Sequence, residues 1–246
     1  MDKNLKISIV TVTKNSAKYL EENIESLKNQ NYKNFEHIII DGESDDQTLN
    51  IIKKNSDHIS YWISEKDKGL YDAMNKGIKK ANGDIIGILN SDDIYYSDAL
   101  SIVNNYFSED QDIDFLFGSV EKYKLMHGFY PEKIKWTFGF YTTHSVGFFI
   151  RKSSQLKLGF YDIQYKYSSD YDLFYRMIVQ KKMKGIATKK NEILGKFRQG
   201  GISSNLKYID FLRENNKIRI NNGQNKFIVY IIFLLRILRN FKRLFK

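Results

Sequence analysis

Residues 65–93 read EKDKGLYDAMNKGIKKANGDIIGILNSDD, and the segment divides at Asn82-Gly83. Before that turn, Leu70, Ala73, Met74 and Ile78 recur at three- and four-residue steps, the stripe of a helix covering a core, expected over 69–81. After it, 84–89 is an almost unbroken apolar run. A strand of this kind is buried on both faces, and such strands belong to parallel sheets with helices on either side. Asp92 and Asp93 sit where the run ends, at the carboxyl end of the strand. Adjacent carboxylates repel unless a cation or solvent relieves them, and Mg2+ takes oxygen ligands that it shares with phosphates. The turn 90–93 is therefore a candidate diphosphate and metal site. The alternative is a pair of N-caps opening a following helix.

Upstream the same alternation repeats. A strand is expected over 6–12 (KISIVTV), a helix over 16–29 with Ala17, Leu20, Ile24 and Leu27 on one stripe, and a strand over 35–40 (FEHIII). The polar segment DGESDDQT, 41–48, leads into a helix over 47–55, and 59–63 forms a third strand. Asp41 follows an apolar strand as Asp93 does, so two acidic turns are expected at one edge of the sheet. There Asp41 is placed to accept hydrogen bonds from a base or ribose. One of Ser44, Asp45 and Asp46 is expected to cap the next helix. Strands and helices alternating in this way make a doubly wound α/β domain with its ligand at the carboxyl ends of the strands.

The second half is richer in aromatics. A strand is expected over 115–123, a loop or hairpin over 128–141, a strand over 146–151 and a helix over 169–180. No repeat or low-complexity linker interrupts the chain, so one domain over 1–215 is expected, followed by a tail over 216–246. A chain of 246 residues that is 42% hydrophobic supports one sizeable core. Cysteine is absent and histidine numbers four, which excludes disulfides and thiolate zinc sites. Any metal has to be held mainly by oxygen. The first residues form no charged and apolar leader with a small-residue cleavage site, so a cytoplasmic location is expected. No G-x-G-x-x-G follows the first strand, which argues against a dinucleotide-dependent dehydrogenase.

Formal net charge is +10, and Lys226, Arg236, Arg239, Lys242, Arg243 and Lys246 supply +6 of it over 226–246, where no Asp or Glu occurs. With no zinc-finger, basic-zipper or aromatic RNA-binding motif, nucleic acid is not expected as a partner. The run FIVYIIFLL, 227–235, is nine residues long, too short for a bilayer, which takes about 20. Beyond it, Arg236, Arg239, Arg243 and Lys246 recur at helical steps, with Leu234, Leu235, Leu238 and Phe241 on the other side. A basic face opposite an apolar one suits a helix in the headgroup region of an anionic membrane surface. A helix packed on the domain or on a partner subunit gives the same pattern.

Taken together these segments resemble glycosyltransferase family 2, of the GT-A fold. The stretches that carry the resemblance are 8–48 (SIVTVTKNSAKYLEENIESLKNQNYKNFEHIIIDGESDDQT), 65–93, HSVGFFIRK at 144–152, GFYD at 159–162, SSDYDLFYRM at 168–177 and FRQGGIS at 197–203. They run in the family's order and are most similar to enzymes of bacterial O-antigen, capsule and exopolysaccharide assembly. The resemblance implies a Rossmann-like, mostly parallel sheet flanked by helices. It also implies transfer from a nucleotide-sugar donor, a UDP-sugar first, to a lipid-linked saccharide acceptor, with Mg2+ or Mn2+ as cofactor. The enzyme would then lie peripherally on the inner face of the plasma membrane.

Carried over by position, the resemblance implies that Thr11 and Asp41 contact the nucleotide, Asp41 at the base. Lys68, Asp72 and Asn75 would line nucleotide and sugar, Asp93 would be the principal metal ligand, and Asp92 a ribose or second metal contact. Asp170 aligns with the catalytic base of an inverting displacement. From the residues alone, Asp170 stays open between base and helix cap. His144, Trp136 and Arg198 fall on the acceptor and phosphate side, where packing or an ordinary turn are the alternatives. Two positions depart from the family pattern: Asn90 replaces an acidic residue, and Ser145 follows the histidine where glutamine is common. They keep open a second reading, a catalytically silent nucleotide-sugar-binding subunit that positions a partner at the membrane.

Overall fold

In a computed structural model that describes residues 4–136, 141–198 and 207–241, strand β1 (Ile7–Thr13) lies inside a seven-stranded sheet and is buried over its whole length. Its neighbours β2 (Phe35–Asp41) and β4 (Ile85–Ile88) are both parallel to it, and β3 (Tyr61–Ser64) extends the sheet beyond β2. On the other side come β9 (Phe148–Arg151), antiparallel to both neighbours, then β6 (Phe115–Phe117) and β10 (Gly185–Ala187). The chain builds outward from β1 through β2 to β3, then crosses back to place β4 on the far side of β1. Open α/β sheets bind ligands outside the carboxyl ends of the strands at such a reversal. Thr13 and Asp41 are register partners at that edge. The two acidic turns thus leave adjacent parts of one edge, as expected.

Both faces of the sheet are covered because successive side chains of a strand point to opposite sides. Val10 and Val12 pack with Met74 and Ile78 of α3 (Leu70–Lys80), while Ile7 and Ile9 pack with Leu27 of α1 (Ala17–Lys28) and Val103 of α4 (Ala99–Glu109). Asp46 caps as expected, and twice. Its carboxylate accepts the amide of Thr48, which opens α2 (Thr48–Lys54), at 2.9 Å and that of Ala17, which opens α1, at 3.1 Å.

The strand expected over 115–123 is two strands, β6 and β7 (Ser119–Glu121), which enter different sheets. Gly118 stands between them, packed so closely that a Cβ there would lie 2.0 Å from Leu194 Cδ1. β7 joins β8 (Leu125–Met126), β11 (Ile193–Lys196) and β5 (Ile94–Tyr95) in a four-stranded sheet. Because β5 follows Asp93 directly and α4 starts only at Ala99, the Asp92-Asp93 pair caps no helix. After β9 come α5 (Lys152–Leu158) and α6 (Ser169–Tyr175). The helix expected over 169–180 changes to π-type hydrogen bonding at Arg176–Gln180.

The division expected at 215/216 falls inside α7 (Tyr208–Asn221), and the chain turns instead at 222–225 before α8 (Lys226–Arg239). α8 packs on α7 and buries Val229 and Ile232. Arg236 follows on this inward side, its pKa lowered by burial and by the neighbouring Arg219 charge, while Arg239 is exposed. Arg243 and Lys246 lie outside the described residues. No helix among the described residues is long and apolar enough to cross a membrane.

Candidate active site

β4 delivers the chain into the turn 90–93, closed by the Asp93 amide donating to the Asn90 carbonyl at 3.0 Å. The buried side chain of Asn23 on α1 donates to the carbonyls of Asn90 and Asp93, each at 2.9 Å, and fastens the turn. Asp93 is fully buried. Its Oδ1 accepts the Arg198 amide at 2.9 Å, whereas Oδ2 is buried with no hydrogen-bond partner among the described residues. Burial, then the charge of Asp92 beside it, push the Asp93 pKa up to about 7. Burial also raises the pKa of Asp92, against the opposing charge of Arg198.

A buried carboxylate oxygen without a partner is costly unless a cation takes it. The Asp92-Asp93 pair therefore fits a divalent cation, offering hard oxygen donors of the kind Mg2+ and Mn2+ accept. No cluster of three or more His, Cys, Asp or Glu able to hold a metal occurs among the described residues. Coordination would be completed by substrate oxygens, as is usual for ions that bridge phosphates.

Asp92 lines a cleft of about 860 Å³ whose walls come from the residues after β1, the start of α3, the turn 90–93 and the start of α6. Lys14, Lys18 and Lys166 line it with Asp67, Asp92 and Asp170, so basic and acidic side chains face the cleft in equal number. Asp170 lines the same cleft. Its Oδ1 accepts the Tyr71 hydroxyl at 3.1 Å and the Tyr171 amide at 2.9 Å, and its Oδ2 accepts the Tyr141 hydroxyl at 3.1 Å. An ionised carboxylate oxygen takes about two donors, so Oδ2 keeps one acceptor position free among the described residues. Asp170 lies in the first turn of α6, after the N-cap residue Ser168, and takes the Tyr171 amide of that turn while still lining the cleft. Glu214 of α7 accepts the amides of Lys166, Tyr167 and Ser168 at 2.6–2.9 Å, ordering the chain just before α6.

His144 also reaches the cleft, with Nε2 2.6 Å from the Tyr161 hydroxyl. Burial lowers its pKa, against the upward pull of Asp170. The two departures from the family pattern meet here, since the main-chain N–H of Asn90 donates to Ser145 Oγ at 2.8 Å, while Asn90 Oδ1 is buried with no hydrogen-bond partner among the described residues. Next to them Val146 has φ of 68°, a left-handed conformation that costs a β-branched residue about 1–3 kcal/mol. Its amide is held by the Ile88 carbonyl at 3.1 Å.

Thr11, Asp41, Lys68, Asp72 and Asn75, expected at the donor, are not among the residues that line the cleft. Thr11 is fully buried, its hydroxyl 2.9 Å from His37 Nε2, because it belongs to the interior of β1; Thr13, two residues on, reaches the cleft. Asp41 is fully buried as well, with oxygens engaged by the amide and hydroxyl of Ser44 and by the Ser64 hydroxyl. Asn75 is a clamp, donating to the Tyr161 carbonyl at 2.8 Å and accepting its amide at 2.9 Å. Lys68 is exposed and Asp72 accepts its amide at 2.9 Å; neither lines the cleft, whereas Asp67 and Gly69 beside them do. Trp136 is 55% exposed and away from the cleft lining. Arg198 pairs with Glu22, and its guanidinium lies 4.8 Å over the Tyr19 ring. Gly200, Gly201 and Ser203 lie outside the described residues.

Lys14, Asn15 and Ser16 were missed in the sequence, although their place just after the first strand was a signal. Tyr71 carried a weaker one, lying next to the buried stripe of α3. Tyr141 carried none, because nothing local ties it to Asp170.

The pattern of glycosyl transferase family 2 matches residues 8–188. A Methanococcus voltae protein named dolichyl N-acetyl-alpha-D-glucosaminyl phosphate 3-beta-D-2,3-diacetamido-2,3-dideoxy-beta-D-glucuronosyltransferase is 44% identical over 85 residues, 32% of this chain and 26% of that protein. Across the curated relatives the chain spans from about a quarter to 66% of their length. S. aureus TarS, solved with UDP-GlcNAc, superposes with a TM-score of 0.71 at 18% identity, covering 96% of this chain and 73% of that one. The mannosyltransferase PcManGT of Pyrobaculum calidifontis, solved with GDP-Man and Mn2+, gives 0.65 at 14% identity, covering 93% and 68%. These likenesses establish the GT-A fold. With its family pattern running from β1 through β10, this chain belongs to glycosyl transferase family 2.

Proposed function

We propose that the cleft transfers a sugar, with inversion, from a nucleotide-sugar donor to a hydroxyl of a lipid-linked saccharide in surface polysaccharide synthesis. One observation carries the reading: Asp92, which neighbours the buried Asp93 Oδ2 that has no hydrogen-bond partner among the described residues, and Asp170 line one cleft together with Lys14, Lys18 and Lys166. Lys14 and Asn15 would meet the diphosphate and nucleoside, with Asp92 at the ribose. Asp93 and Asp92 would hold Mg2+ or Mn2+, which when bound neutralises charge growing on the leaving diphosphate. Tyr71 and Tyr141 fix the plane of the Asp170 carboxylate. Asp170 Oδ2 takes the proton of the acceptor hydroxyl as that oxygen bonds to the anomeric carbon and the bond from that carbon to the diphosphate oxygen breaks. A lipid-linked acceptor is supported by the name of the M. voltae relative, a transferase acting on a dolichyl sugar phosphate. It would be met at the inner face of the plasma membrane.

The catalytically silent alternative rested on Asn90 and Ser145. In the structure Ser145 holds the main chain of the turn at Asn90 while Asp170 lines the cleft, which favours an enzyme. The test is a thermal-shift screen of UDP-, GDP- and dTDP-sugars with and without Mn2+. A UDP-sugar is expected to raise Tm only with metal, by the equivalent of about 2.7 kcal/mol at a hundredfold excess over Kd. Asp93→Ala should abolish that shift. Asp170→Asn should keep it and lower turnover by about a hundredfold or more. A shift of equal size without metal would sink the assignment.

A further inference from the structure

α8 turns an apolar face outward. Phe227, Ile231, Leu234 and Leu238 follow one another at steps of four and three residues, the spacing of a single helical stripe, and are 42–74% exposed. Tyr230 and Leu235 widen the stripe at 57% and 60% exposure. The opposite side of the same helix, with Val229 and Ile232, is the side packed on α7. A soluble helix places its apolar side on the core and its polar side in water, whereas α8 is apolar on both. A contiguous exposed apolar surface of this size marks a contact surface.

Charge identifies what covers it. Exposed Lys226 and Arg239 stand at the two ends of the helix, and no Asp or Glu occurs from 215 to 246, where Lys242, Arg243 and Lys246 add to the positive charge. A second copy laid along the stripe would bring like charges together, which is unfavourable for paired helices. An anionic bilayer offers the opposite charge and accepts apolar side chains to the depth of one helix face. At 14 residues, about 21 Å long, α8 is too short to span the apolar layer and suited to lie in its surface. We propose that the outward face of α8 is a docking surface for an anionic lipid bilayer. α7 packs on both α8 and α6, so docking holds the helix that carries Asp170 close to the membrane.

The inference stands apart from sugar transfer, since it is read without donor or acceptor. The whole chain is mixed with vesicles of phosphatidylcholine, with and without phosphatidylglycerol, and floated on a density gradient. Flotation is expected with the anionic vesicles alone and should weaken as salt is raised. Leu234→Glu with Leu238→Glu should abolish it while leaving Tm and circular dichroism unchanged, because both side chains are exposed. Lys226→Gln and Arg239→Gln should each lower vesicle affinity by about fivefold. Equal binding to phosphatidylcholine alone would overturn the proposal. So would a wild-type flotation profile in the Leu234/Leu238 variant, or a dimer in sedimentation that this variant splits in a chain that does not float.

Discussion

Burial acts in opposite directions on His37 and Asp93, and the difference follows from which protonation state carries charge. Low dielectric disfavours the charged form, so the imidazole loses its proton more easily and the carboxyl keeps its own longer. His37 lies 1% exposed beside Thr11, with Nδ1 unpartnered among the described residues, and burial lowers its pKa to about 3. The unfolded chain, with an imidazole pKa near the usual ~6.5, binds the proton more readily throughout the interval between the two values. Stability is therefore full above about pH 6.5 and is lost as pH falls toward 3. Urea midpoints measured from pH 7 to pH 4 should fall. His37→Gln, whose amide can still meet Thr11, should flatten the slope by up to about 1.4 kcal/mol per pH unit. An identical slope in the variant would show that His37 does not titrate on unfolding.

α3 is the element on which the site depends most visibly. Its stripe was legible because Ala73, Met74 and Ile78 repeat at helical steps, and it packs against Val10 and Val12 as that stripe requires. Gly77 lets it sit close to the sheet, for a Cβ there would lie 2.3 Å from Val10 Cγ1. Gly77→Ala sets two effects against each other. Alanine favours the helix by about 1 kcal/mol, while overpacking a buried contact costs about 1–3 kcal/mol. Val10 is fully buried and stiff at χ1, so the cost should win. A net loss of up to about 2 kcal/mol in urea denaturation is expected, with weaker turnover as Tyr71 shifts against Asp170; a stabilised variant would refute the close contact. The strand over 115–123 shows the opposite case. Its composition is continuous across Gly118, and the division between two sheets follows from partners far along the chain, β9 for β6 and β11 for β7.

For the molecule as a whole, the sheet supplies the cleft and α7 with α8 support it from behind. Arg219 of α7, fully buried, donates from Nε to the Tyr171 hydroxyl at 2.8 Å, next to Asp170 in the chain. Removing α8 after Asn225 uncovers the side of α7 against which it packs. Val229 and Ile232 contribute about 1.5–3 kcal/mol each as buried aliphatic side chains, so calorimetry should record a lower Tm. An unchanged Tm would mean that α8 adds nothing to the domain. Loss of vesicle binding in such a truncation carries less weight than loss in the outward-face variant, which leaves α7 covered.

By itself the sequence determined the alternation of strands and helices, the parallel character of β1, β2 and β4, and the two acidic turns at one edge. Each of these depends on hydrophobic period and turn chemistry within some ten residues, so each can be read locally. Tertiary structure alone decided which carboxylates face the cleft. Ser64, 23 residues from Asp41, helps draw that carboxylate inward, and Tyr71, 99 residues from Asp170, helps orient the other. It also decided which side of α8 meets α7, since a helix apolar all round has no preferred inner face until a neighbour chooses one.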